Sequence, residues 1–267
     1  MQYSLVIKKF NYEENKKEIF NNLSLKLESG SINFILNDFK KSTLLFNLLF
    51  NLIDSPVKAT LFNEKVLSSF EEIGYYSPYS DIYKDITIKE FLTLSNSYYQ
   101  NDYYENAVKL ANKFGLDLSK KINMLDKESY ETLKLIESMY HDPSLVVLDN
   151  PYIYLSKENI DKLNECLNEL KKQNSTILIS SPDFNKIYNN IDKIYLYYLN
   201  KLVSSKDLKI KKYTVTLDGI INDFKLKLLT KECDENVTTI TFLGPLEILL
   251  DEFLKKNIKI IDIKVGE

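Results

Sequence analysis

The sequence predicts an α/β fold: a mostly parallel sheet covered by helices, a helical insert, and a small α+β appendage. Three observations predict it. The runs Ile32–Leu36, Leu145–Leu148 and Thr176–Ser180 are short and largely apolar, as strands buried on both faces must be. Helical apolar spacing follows the first two of them. The pattern then changes after about residue 205. Strands alternating with helices imply parallel pairing, because a parallel connection needs a crossover.

In chain order, residues 3–9 and 22–28 alternate polar and apolar, as half-buried strands do. Glu28-Ser29-Gly30-Ser31 is a turn into the buried strand Ile32–Leu36. From Ser42 to Ile53, Leu44, Leu45, Leu48, Leu49 and Ile53 recur at helical spacing. Residues 82–143 read as mainly helical and tyrosine-rich, with the low-complexity stretch Ser95–Tyr104 inside. Leu145–Leu148 ends at Asp149-Asn150-Pro151. The next helix carries Ile160, Leu163, Cys166, Leu167 and Leu170 on one face, and Pro182 closes Thr176–Ser180. In the appendage, Tyr213–Leu217, Val237–Phe242 and Ile258–Val265 read as strands. Ile220–Leu229 and Leu246–Lys256 read as helices. The expected domains are 1–204, with the insert at about 82–143, and 205–267. In open α/β sheets ligands bind at the carboxyl ends of the strands. That selects residues 36–41, 149–151 and 181–183.

Composition excludes several classes. The 267 residues are 44% hydrophobic and carry a net charge of -3, with all basic charge from lysine. Acidic and basic residues are interspersed, which leaves no nucleic-acid footprint. No apolar run approaches the ~20 residues of a membrane helix, and no leader pattern opens the sequence. A cytoplasmic chain without membrane insertion is expected. Cys166 and Cys233 match no metal spacing, and Cys166 belongs to an apolar helical stripe.

Five segments then arrive in a telling order. Asn37-Asp38-Phe39-Lys40-Lys41-Ser42-Thr43-Leu44-Leu45 looks like the end of a P-loop, G-x-x-G-x-G-K-S-T-L-L. Ile73-Gly74-Tyr75 through Leu92 resembles a Q-loop segment and the helix start after it. Leu125 to Pro143 matches the span from L-S-G-G-Q to H-D-P without a gap. Leu145-Val146-Val147-Leu148-Asp149-Asn150-Pro151 resembles the Walker B strand L-L-I-L-D-E-P. Thr176 to Asp183 resembles the strand ending in a switch histidine. Over residues 1 to about 200 the chain resembles the ATP-binding subunits of ABC transporters, a P-loop NTPase family. The appendage resembles the C-terminal extensions of subunits serving ABC-2-type exporters.

The resemblance implies roles, and the sequence departs from most of them. Lys41 and Ser42 match the residues that hold the β/γ-phosphates and Mg²⁺, with Thr43 beside them and Asp149 orienting the metal shell. Tyr12 matches the aromatic that stacks on adenine. Read plainly, Lys41 is a solvated loop lysine, Ser42 a helix cap, and Tyr12 an exposed or core tyrosine. The three P-loop glycines are Ile35, Asp38 and Lys40. Glycine there lets consecutive N–H groups face phosphate, and a left-handed non-glycine costs ~1–2 kcal/mol. The Q-loop glutamine falls on Pro78. The signature-like run is Leu125-Asp126-Lys127-Glu128-Ser129: Asp126 stands where a hydroxyl donor to the γ-phosphate is expected, Lys127 and Glu128 where the backbone must approach, Ser129 ends the run, and Asp126 reads as a cap instead. The general-base glutamate is Asn150, whose amide accepts no proton from water. The switch histidine falls on Pro182, and the D-loop S-G-L-D reads Ile153-Tyr154-Leu155-Ser156. The lone histidine, His141, reads as a turn residue.

No catalytic residue is therefore expected. ATP and Mg²⁺ binding is expected to be weak or absent, resting on Tyr12, Lys41, Ser42, Thr43 and Asp149, with Ser42 and Asp149 meeting Mg²⁺ if nucleotide binds. The resemblance implies a subunit at the inner face of the cell membrane, partnering a transporter membrane subunit, a second ATPase subunit, or both, as scaffold or regulator. Tyr98, Tyr99, Tyr103 and Tyr104 are a candidate docking patch. Two other readings stand beside this one. The first is a divergent ATPase powering an ABC-2-type exporter through Lys41, Ser42 and Asp149. The second is a stand-alone regulatory or immunity binding module.

Overall fold

The computed structural model describes residues 2–36, 40–66, 70–182, 191–198, 200–204, 211–224, 226, 228–244 and 246–266. The chain forms two compact units, one built from 1–182 and 188–202, the other from 183–187 and 203–267.

The first unit opens with a long hairpin. β1 (Tyr3–Glu14) and β2 (Lys17–Glu28) pair antiparallel. Their turn is Asn15-Lys16, both at positive φ (51° and 62°), which matches the right-handed twist of the flanking strands. β4 (Ala59–Leu61) and β5 (Glu64–Lys65) extend this sheet in the order β2-β1-β4-β5. The second sheet holds β3 (Ile32–Leu36), β6 (Ile73–Tyr76), β7 (Leu145–Asp149), β8 (Thr176–Ser181), β9 (Lys193–Tyr198) and β10 (Lys201–Ser204). Its order is β10-β9-β3-β8-β7-β6, with β3, β6, β7, β8 and β9 parallel. Every residue of β7 and β8 is buried, as the apolar runs require.

α1 (Lys40–Leu49) follows β3 and buries Leu45, Phe46, Leu48 and Leu49. It stops earlier than the predicted Ile53. Asn51 turns left-handed (φ 53°), and Leu52 N–H bonds the Asn47 carbonyl at 2.9 Å, which closes the helix as a Schellman-type end. The insert contains α2 (Ile88–Asn96), α3 (Tyr104–Lys113) and α4 (Lys127–Glu137). A Thr87–Glu90 capping box starts α2. α5 (Lys157–Lys172) buries Leu163, Cys166, Leu167 and Leu170 on one stripe, as its spacing predicts.

The second unit is a four-stranded antiparallel sheet, β12-β13-β11-β14, with one helix. Its elements are β11 (Lys211–Asp218), β12 (Thr230–Asp234), β13 (Val237–Gly244), α6 (Leu246–Lys255) and β14 (Ile260–Gly266). Tyr213, Val215, Leu217, Ile240, Phe242, Leu249 and Phe253 form its core. The predicted helix over 220–229 is not formed among its described residues. Ile221, Phe224, Leu226 and Leu228 instead pack on that core from an irregular segment. Its amides find distant acceptors: Ile221 N–H bonds Thr238 Oγ1 (2.9 Å), Leu226 N–H the Glu252 carboxylate (2.9 Å) and Leu229 N–H the Thr241 carbonyl (2.7 Å). With donors satisfied that way, the helical ladder is not needed.

Candidate functional site

The carboxyl ends of β3, β7 and β8 bring the central side chains together. Register places Asp149 beside Ser180 across β7 and β8. The Asp149 carboxylate is buried and hydrogen-bonded on both oxygens. Ser180 Oγ donates to Oδ1 at 2.7 Å and Thr43 Oγ1, from the first turn of α1, donates to Oδ2 at 2.5 Å. Burial raises the Asp149 carboxyl above its ordinary range, and these two hydroxyls pull it back.

Lys41 points elsewhere. Its Nζ donates to Asn200 Oδ1 at 3.1 Å and lies 5.7 Å from the Tyr197 ring centroid. Asn200 is itself fixed, because its backbone carbonyl accepts from Asn21 N–H at 2.9 Å. Ser42 is fully buried inside α1, with its hydroxyl 3.4 Å from Tyr197 OH. The plainer readings of both residues are corrected here. Lys41 is not a solvated loop residue, because α1 starts one residue before it. Ser42 is not a cap, because it sits inside the helix and faces inward.

Asn150 follows Asp149 in a left-handed conformation (φ 51°). Its backbone N–H bonds the Ser180 carbonyl at 2.8 Å, and its Oδ1 accepts from Ser181 Oγ at 3.4 Å. Its buried Nδ2 has no hydrogen-bond partner among the described residues. Pro78 lies half-buried in the turn after β6, and Pro182 half-buried in the bend after β8. Asp38, Asn37, Phe39 and Asp183 lie outside the described residues.

A cleft of about 830 Å³ opens at the start of α1. Lys17, Lys40, Lys41, Glu14 and Glu18 line it, with Asn200 and Tyr79 also on its walls. Tyr12 is not among them. Its partly buried ring packs 6.4 Å from Phe20 against the core of the first unit.

Asp126 and Ser129 lie apart from this cluster. Asp126 is the N-cap of α4, accepting Ser129 N–H at 2.8 Å and Ser129 Oγ at 3.2 Å. That bond to the charged form holds the Asp126 carboxyl below its usual range. The neighbouring side chains are tied inward. Glu128 accepts from Ser156 N–H (2.7 Å) and Asn159 Nδ2 (2.6 Å), and Lys127 Nζ sits 4.5 Å over the Tyr154 ring. Deeper in α4, the fully buried Glu131 accepts from Tyr76 OH (2.8 Å), Lys134 (3.0 Å) and Lys127 (2.7 Å).

In the tyrosine stretch, Tyr98 is 75% exposed, Tyr99 stacks on His141 with centroids 4.4 Å apart, and Tyr103 meets both rings. His141 lies in the turn before β7, as its reading expects, and is buried. Sequence reading missed Tyr197 and Asn200, which hold Lys41 from more than 150 positions away. No local pattern points to such partners. Ser180 was within reach, as the last residue of a predicted strand.

The parallel core and the insert have the fold of ATP-binding cassettes of ABC transporters. In sequence the chain is similar to ATP-binding proteins of ABC transporters. It is 31% identical over 103 residues to an uncharacterised ABC transporter ATP-binding protein of Methanocaldococcus jannaschii, matching 38% of this chain and only 37% of that protein's length. It is 25% identical over 181 residues to the ergothioneine transport ATP-binding protein of Helicobacter pylori, covering 64% of this chain and 84% of that one. Among solved structures, the ATP-binding subunit of an ABC transporter superposes with TM-score 0.67 at 18% identity, covering 75% and 88% of the two chains. An ATP-binding cassette bound to ADP and Pi does so with TM-score 0.65 at 15% identity, covering 75% and 97%. No family model matches the chain.

Proposed function

We propose that this chain is a non-hydrolysing ATP-binding-cassette subunit. In this reading residues 1–204 are the cassette and 205–267 an extension. It associates with a transporter membrane subunit, an intact ATPase, or both, as scaffold or regulator at the cytoplasmic face. One observation carries the reading. The carboxylate that would orient Mg²⁺ is buried and accepts the Thr43 and Ser180 hydroxyls, and the next residue is an amide where a proton acceptor is required. Loss of general-base catalysis alone costs ~10²–10⁴-fold in rate.

The residues present do not fit Mg-ATP. Lys41 is engaged by Asn200 and Tyr197, Ser42 is buried, and Glu14 and Glu18 put carboxylates in the cleft a polyphosphate would enter. No helix among the described residues is long and apolar enough to cross a membrane, so attachment to a bilayer falls to a partner.

Calorimetry of the full chain with Mg-ATP tests the reading, with Lys41→Ala as control. The expected result is no saturable heat and no phosphate release above background for either protein. Binding and turnover that vanish in Lys41→Ala would overturn it in favour of a divergent ATPase working through Lys41, Ser42 and Asp149.

A further inference from the structure

β14 is an edge strand of the second unit. One side pairs with β11, and no described strand takes the other. It contains no proline, and its side chains are open: Ile261 is 54% exposed, Val265 55%, and the side chains of Asp262 and Lys264 50% and 78%. Such an edge presents a row of unpaired N–H and C=O groups to another chain.

The sequence of β14 is complementary to itself. Laid antiparallel on a second copy and centred on Ile263, it sets residue 261 opposite 265 and 262 opposite 264, each twice. Both exposed apolar side chains gain an apolar neighbour. Asp262 faces Lys264 of the second copy, and opposite-charge and apolar cross-strand pairs stabilise a ladder. The register shift between Thr216 and Leu217 leaves Ile261 as a bulge. It lies toward one end of the strand, outside the central 262–264 pairs. A strand edge complementary to itself pairs about a two-fold axis, which closes into a dimer rather than an open array.

We infer that a second copy of this chain docks on β14, edge to edge, joining two four-stranded sheets into one continuous antiparallel sheet. The association needs neither nucleotide nor the altered catalytic loops, so it stands or falls apart from the proposed function.

Sedimentation equilibrium of the full chain without nucleotide tests it. The wild type is expected to dimerise. Asp262→Lys and Lys264→Asp, both at exposed positions, each set like charges opposite one another. Each is expected to raise the dimer dissociation constant by about tenfold or more. Mixing the two variants restores opposite charges across the strands, so the mixture is expected to form heterodimers, and the double variant homodimers. A monomeric wild type, single variants that dimerise like it, or a mixture that stays monomeric would each overturn the inference.

Discussion

His141 shows how one side chain can carry a pH dependence without chemistry. It is 3% exposed, and neither ring nitrogen meets hydrogen-bond geometry with any described residue. Burial pushes its pKa down to about 4, against the pull of the Ile73 backbone and the Glu72 carboxylate. The unfolded chain binds the proton near 6.5, so folding is opposed wherever only the unfolded state is protonated. Stability is therefore full above about 6.5 and falls by about 3 kcal/mol as pH drops to about 4. Urea midpoints measured between those limits should show this slope, and His141→Phe, which keeps the stack on Tyr99, should flatten it. Gly74 fixes a second local constraint. A Cβ there would stand 1.7 Å from the Ser138 carbonyl oxygen. Backbone cannot yield as a side-chain tip can, so Gly74→Ala should cost about 3 kcal/mol in chemical denaturation.

At the scale of elements, α4 starts on a side-chain cap, Asp126. Asp126→Ala should cost ~1 kcal/mol near neutral pH, and Asp126→Asn little, because asparagine caps equally well. The Asp126 carboxyl is held low, so the advantage of its charged form is present above the usual carboxylate range. It is lost as pH falls through the folded value. The buried end of α4 is more sensitive. Removing Glu131 strands the Lys134 ammonium, which is 3% exposed. Glu131→Ala should lose ~3–5 kcal/mol, whereas the apolar pair Glu131→Leu with Lys134→Met should recover most of it. The buried strands and the Asp126 cap were legible because each is written within a few neighbouring residues, whereas α1 starts two residues before the cap read at Ser42. The absent helix over 220–229 was not, because Thr238, Thr241 and Glu252 supply its hydrogen-bond partners from later elements. The site divides the same way. Asp149 and Asn150 end a strand that could be read locally, while the contacts of Lys41 depend on how distant strands are ordered.

Each of the two units has a hydrophobic cluster of its own among the described residues. The first unit is organised around residues such as Phe20, Phe46, Val147 and Leu178, the second around Val215, Phe242 and Phe253. Separate cores imply separable unfolding. Urea denaturation of the full chain should show two transitions, and a fragment of residues 1–204 should reproduce one of them. A single transition that disappears in the fragment would refute this division. The bridge from Thr43 through Asp149 to Ser180 has one more consequence, for how such chains change over generations. It joins α1, β7 and β8, and Asp149→Ala would remove the acceptor that the Thr43 and Ser180 hydroxyls share. Purifying selection on folding would then preserve the Lys-Ser-Thr and Leu-Asp spellings after any demand for hydrolysis had lapsed. On the proposed non-hydrolysing reading, a genome survey that scores motifs by spelling would count such a chain among working motors because of what those residues do for folding.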